Sequence, residues 1–422
     1  MTETESKREQ ATPAGQGAAG KVAQPAAGQG APASGRATVA APASAPASPA
    51  GSAGQAASLA AASPAAETME QAMAADAEVL AQARKTFKSK VSPLTIIVIV
   101  AVLLVVVIAS LCLGRYSCSP ADLFGTFYHV IFDPNSEWDK KLITAIFNVR
   151  VPRVLCVVLV GAALSVAGAS YQGMFKNPLV SPDLLGASAG ASLGACLGLL
   201  LNFSNLTVQF MAFAFAMAAV GLAVLLTRIV KTDPMLGLVL GGILVGSLFQ
   251  SGSSIVKLVA DADDKLPSIT FWLMGTFANI TLSDFLLVFA PILIGFALLM
   301  FERWHLNVLS FGEEEARSLG VNTRRTRLIV IFAATLITAC SVSISGIIGY
   351  VGLVIPHLAR AIVGPNYRVL LPTSMAIGAA FLLVVDNVSR LVYATEIPIG
   401  ILTSVIGIPF FVFIYRRNMR GW

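Results

Sequence analysis

An all-α polytopic membrane protein with about ten transmembrane helices behind a disordered N-terminal tail is the fold class this sequence predicts. Three observations predict it. Of 422 residues, 56% are hydrophobic and 12% charged, about half the charged share of a soluble domain, and the mean hydropathy is +0.76. The apolar residues gather into runs long enough to cross a hydrocarbon core of about 30 Å. Basic residues collect at alternate ends of those runs, as cytoplasmic loops do.

The tail comes first. Residues 1–66 are dominated by Ala, Pro, Gly, Ser and Gln, and no aromatic precedes Phe87. Such a segment buries too little apolar area to offset the entropy of ordering it, so residues 1–90 are expected to be a disordered cytoplasmic tail. A weak helix is expected over Thr68–Arg84, with Met69, Met73 and Leu80 near one face. The polar start, with Glu3, Glu5, Lys7 and Arg8, is unlike a secretory signal. Gly15–Val22 comes within one residue of a phosphate-binding loop. It lacks the hydroxyl after Lys21 and the flanking strand and helix that such a loop needs.

Residues 91–422 then form the transmembrane domain. Lys85, Lys88 and Lys90 precede Leu94–Leu113, a charge-free run of 20 residues, which puts the tail inside. Residues 115–149 are an external, short structured loop. Spans follow at about 151–172 (inward), 184–203, 207–228 and 234–257, with Arg228 and Lys231 inside and Asp261, Asp263, Asp264 and Lys265 outside. Ile269–Ile280 reads as a partial or interfacial helix. The sixth span, about 284–302, enters and meets the polar segment Glu302–Arg327; the seventh, about 328–346, exits. A short eighth piece around Ile355-Pro356-His357 returns to Arg360, and Pro356 is expected to break or kink it. The ninth and tenth spans, about 370–392 and 397–415, end at Arg416 and Arg417. Both termini therefore lie in the cytoplasm. The net charge of +6 reports loop bias rather than nucleic-acid binding.

Chemistry-bearing side chains are few. Five scattered cysteines have no metal-ligand spacing and read as small apolar residues. His357 has no second ligand at helical spacing, so it reads as a packing or hydrogen-bonding residue. No metal or cofactor is expected. Asp386, well inside the ninth span, pairs most simply with Arg390 one turn on; a proton relay is the other reading. Glu313–Ala316 can start a helix with acids at its positive end, and Gly320 can stop it. With a second short helix near Asn322–Arg327 this would make a rigid knob at the membrane face; an ordinary solvated loop is the plainer reading. Asn177-Pro178-Leu179 is a polar turn between two spans, and a simple capping turn would account for it. Arg150, Arg153 and Arg390 fall outside, where snorkelling to lipid phosphates would explain them.

Four stretches in order resemble one family. They are Arg150-Val-Pro-Arg153 through Tyr171–Gly186; Leu309–Val321; Ser345–Arg360 with Tyr367–Pro372; and Glu396–Gly400 with Gly407–Phe411. Together these resemble the FecCD-like permeases of type II ABC importers for iron chelates, haem and vitamin B12, over roughly residues 94–418. The resemblance implies a vitamin B12 importer permease-like fold in the cytoplasmic membrane and no ATPase site of its own. It implies import of a metal chelate, a ferric siderophore first, haem or cobalamin as alternatives; an ion-coupled secondary transporter is the competing class. Implied partners are a second copy of the chain, two ABC ATPase subunits, an extracytoplasmic substrate-binding protein and the lipid bilayer, with no nucleic acid. Carried onto this sequence, the coupling surface is Gly312, Glu313, Glu314, Ala316, Arg317, Leu319 and Gly320. The cytoplasmic gate is Asn177, Pro178 and Leu179, and the arginines that meet acidic residues of the binding protein are Arg150, Arg153 and Arg390.

Overall fold

Proline fixes φ near the helical value and lacks the N–H that a first turn leaves unbonded, and Pro93 opens the first span, α1 (Pro93–Cys112). A computed structural model describes residues 92–418 apart from 115, 117, 134–137, 231–233 and 394. The expected tail and its helix over Thr68–Arg84 lie outside the described residues.

The described residues between the first two spans are folded, as expected of a short structured loop. Ser119 and Asp122 form a reciprocal capping box at the start of α2 (Pro120–Phe132). Trp138 stacks on His129 with ring centroids 4.3 Å apart and donates to the Thr126 hydroxyl at 2.9 Å. Asp139 then caps α3 (Lys140–Phe175), which includes a π-helical stretch over Thr144–Arg150.

The middle of the domain is α3. From Val154 to Met174 it is almost wholly buried, packed against α8 (Leu282–Leu309), α10 (Thr323–Ser345), α11 (Val351–Val363) and α12 (Tyr367–Leu391). Small residues permit this. A Cβ on Gly168 would collide with the Gly352 backbone of α11, so the two helices cross at backbone contact. A second group, α4 (Ala187–Leu200), α5 (Asn205–Val230) and α6 (Pro234–Val259), packs beside it. Of the remaining elements, α7 (Lys265–Leu273) and α9 (Glu313–Ser318) are short, and α13 (Ile399–Asn418) closes the order. Seven helices are long and apolar enough to span a membrane, and α4, α11 and α13 are shorter apolar helices, giving about ten membrane segments among the described residues.

Three expectations are corrected. The partial helix sits at Lys265–Leu273 rather than 269–280; the chain beyond it is held by backbone bonds from Thr276 to Ser345 (2.8 Å) and from Gly400 to Met274 (3.1 Å). Pro356 does not break its helix. Tyr350, in the left-handed region at φ +65°, starts α11 just upstream, and Pro356 falls inside a continuous Val351–Val363. Finally, Asn322–Arg327 is not a separate short helix. Asn322 caps the seventh span itself, its side chain accepting from the Arg325 amide at 3.0 Å, so the knob consists of α9 plus the first turns of α10.

Candidate functional site

The short helix α9 carries Glu313, Glu314 and Glu315 in its first turn, where the helix dipole favours them, and Arg317 in its last. Gly320 adopts φ +77° and donates to the Arg317 carbonyl at 2.9 Å, while Val321 donates to Ala316 at 2.9 Å, closing the helix end. Ala316 is fully buried against Val308, Leu309 and Val321. Glu313 holds the element to the span beneath it. Its carboxylate meets Arg317 at 2.7 Å and Arg327 of α10 at 3.0 Å, and accepts from the Thr323 hydroxyl at 3.3 Å. Partial burial pushes the Glu313 carboxyl up, but Arg327, Arg317 and Thr323 outweigh it and hold the group below its ordinary value. Gly312 and Ala316 face inward, while Glu314, Arg317, Leu319 and Gly320 are exposed. The structure thus brings the expected coupling residues together on one anchored, protruding element.

The expected gate residues Asn177, Pro178 and Leu179 form an exposed turn. Lys176 ends α3 in the left-handed region at φ +51°, and the Asn177 side chain accepts from the Leu179 amide at 2.9 Å. That is a capping turn by geometry. What ties it to the rest is Gln172, which the motif reading missed. This buried side chain donates to the Leu353 carbonyl (3.1 Å) and the Val180 carbonyl (3.4 Å) and accepts from Arg360 (3.3 Å). It joins the turn to α11.

At the opposite face the structure departs from expectation. Arg150, Arg153 and Arg390 are not displayed to solvent; they are 4%, 4% and 9% exposed. Arg150 reaches the carbonyls of Leu111 (2.7 Å), Cys112 (2.9 Å) and Tyr116, a cation placed at the carbonyl end of α1. Arg153 is shared by two carboxylates, Asp386 at 2.8 Å and Glu396 at 2.9 Å, the latter in a two-bonded fork. Arg390 lies 3.1 Å from Asp386, close for an ion pair but poorly aligned for a hydrogen bond, and donates to Ser110 (3.0 Å) and Asn387. The reason for the correction is that Asp386 and Glu396 supply two negative charges against Arg153 and Arg390. A charge-balanced cluster of Arg153, Arg390, Asp386 and Glu396 joins α1, α3, α12 and the chain before α13. The expected Asp386–Arg390 contact is present, with Arg153 as the stronger partner of the acid.

One further feature lies on α6. Ser247, Gln250, Ser251 and Ser254 are all exposed at i, i+3, i+4 and i+7 of a membrane-length helix. Ser251 and Ser254 donate back to the carbonyls of Ser247 (2.9 Å) and Gln250 (3.0 Å), but the Gln250 amide has no partner among the described residues. The spacing was visible in the sequence and was overlooked among the surrounding leucines.

Seven membrane-length helices and three shorter apolar ones make this a polytopic membrane domain, and the comparisons with known proteins give its class as the permease of an ABC importer. The profile of the FecCD transport family matches residues 102–417, and the chain belongs to that family. It is 38% identical to the molybdate import system permease protein MolB of Haemophilus influenzae, over 76% of this chain and 94% of that one. It is 34% identical to the hemin transport system permease protein HmuU of Yersinia pestis, over 64% and 83%. A solved chain of a metal-chelate type ABC transporter in an inward-facing conformation superimposes with a TM-score of 0.69 at 37% identity, covering 77% of this chain and 99% of that one.

Proposed function

We propose that two copies of this chain form a pore in the cytoplasmic membrane through which a metal chelate enters the cell, a ferric siderophore first among them. The observation that carries the pore is the polar stripe on α6. An unpartnered Gln250 amide and a line of serine oxygens suit a water-filled path better than hydrocarbon, where an unsatisfied amide is costly. In this reading the stripe faces its copy across the two-fold axis. Element α9 seats in each of two ATPase subunits, and its attachment to α10 through Glu313 transmits their closure as rigid-body movement. Asn177–Leu179 form the inner gate, moved with α11 through Gln172. The outer arginine cluster positions the surface on which a substrate-binding protein docks, rather than offering three free cations. Both termini are cytoplasmic.

A second substrate reading has a specific basis. The relative named for molybdate aligns over 94% of its own length, so a small oxyanion is the alternative cargo. The experiment is uptake into proteoliposomes holding this chain, its ATPase and its binding protein, with ferric siderophore, haem, cobalamin and molybdate compared. Saturable, ATP-dependent uptake of a chelate supports the proposal. Uptake of molybdate alone would replace the cargo, and the same flux through a Gln250→Leu, Ser251→Ala variant would move the path away from α6.

A further inference from the structure

A groove of about 430 Å³ runs between α5 and α10. Its α5 wall extends from Met217 to Arg228 and its α10 wall from Leu328 to Thr335. Eleven residue steps at 1.5 Å make the longer wall about 16 Å, close to half of a ~30 Å hydrocarbon core. The groove is therefore one leaflet deep. The space over Gly221 is open, since a Cβ there would meet nothing within 4 Å. Leu225, Leu328 and Phe332 give it exposed apolar walls. At its deep end the Thr335 hydroxyl is already engaged by Tyr171 at 3.0 Å, so the interior asks for no polar ligand.

The shallow end is cationic. Arg228 lines the groove, is exposed, and makes no hydrogen bond or ion pair among the described residues. The two helices run in opposite directions, so the start of α10 lies at the same end. It brings exposed Arg324 and Arg325 one turn before Leu328. An apolar slot of single-leaflet depth with a basic rim complements an acyl chain attached to an anionic head. Cationic rims between membrane helices favour such lipids. We propose that this groove binds one anionic phospholipid, with a chain along Gly221 and Phe332 and its phosphate on Arg228. The site is separate from the α6 stripe and depends only on the chain's being embedded in a membrane.

Native mass spectrometry of the purified, delipidated protein tests this, with dioleoylphosphatidylglycerol and dioleoylphosphatidylcholine as probes. Wild type should retain the glycerol lipid in preference to the choline lipid, one tightly held molecule per chain. Arg228→Gln should weaken that preference about fivefold, the order expected of one basic residue at an anionic surface. Gly221→Leu should fill the slot and abolish the tight molecule of either lipid. Because there is room for the new side chain, its thermal unfolding should match wild type, and Leu225→Trp gives a second way to fill the groove. Equal retention of the two lipids by wild type would overturn the proposal, as would retention unchanged across the variants. So would efficient disulfide cross-linking of a Gly221→Cys variant to a second copy in membranes, which would show protein covering the groove.

Discussion

The two faces of this membrane domain are both organised by arginine–carboxylate pairs, yet the pairs differ in kind. At one face Arg153 and Asp386 are 4% and 0% exposed, and every charge meets a charge or a carbonyl of the same chain. At the other, on α9, Arg317 and Glu313 are 66% and 36% exposed, and Glu314, Leu319 and Gly320 are open to solvent. Desolvated pairs are expensive to break but offer a partner little. Exposed pairs contribute little themselves and leave their surroundings available. Arginine at a membrane face therefore does not by itself mark a docking surface; what decides is whether an acid of the same chain reaches it first.

The sharpest way to break this contrast is at the Asp386 cluster. Asp386→Ala leaves Arg153 and Arg390 buried side by side without their shared acid, and should cost about 3–5 kcal/mol. Thermal unfolding in detergent and membrane abundance are the readouts; an unchanged transition would mean the cluster is open to water. Gly320→Pro should come next, and it acts on coupling rather than on stability. Proline cannot adopt φ +77°, so α9 should lose its shape, and co-purification with the ATPase and stimulated hydrolysis should fall while unfolding barely shifts.

Glu313→Gln should be milder, on the order of 0.2–1 kcal/mol for its exposed pair with Arg317 with a further loss at Arg327, whose side chain is 9% exposed, and its effect should depend on pH. The folded group titrates below its ordinary value of 4.5, so its stabilisation is present above that value and lost as pH falls through the lower, folded one. The wild-type advantage over the variant should vanish in acid and shrink with added salt; an advantage that grew in acid would reverse the assignment. Deleting residues 2–80 should have the smallest effect. Uptake at equal membrane abundance should match wild type, and a loss would reveal a role for the tail.

The spans were legible because the bilayer sets their length and charges mark their ends. The first span, expected at Leu94–Leu113, forms at Pro93–Cys112. Local chemistry was legible too: Gly320 ends its helix, and Asp386 meets Arg390 one turn away. What could not be read was contact across the chain. Arg153 meets Asp386 and Glu396 from 233 and 243 residues away, and nothing in the spacing announces that two acids will engage Arg153 and Arg390 while Arg150 turns to the carbonyls that end α1. Gln172 was hidden for the same reason, since its partners Leu353 and Arg360 lie on another helix. The α6 stripe is the opposite case, a local pattern present in the sequence but diluted by its apolar neighbours.

The central claim is that this chain is a passive pore driven by a separate ATPase through α9. Substrate flux into proteoliposomes tests it most directly, measured with the ATPase, with an ATPase unable to hydrolyse, and with a proton or sodium gradient in place of ATP. Flux is expected only with the active ATPase and ATP, and is lost in Gly320→Pro. Flux driven by an ion gradient in the absence of any ATPase would contradict it.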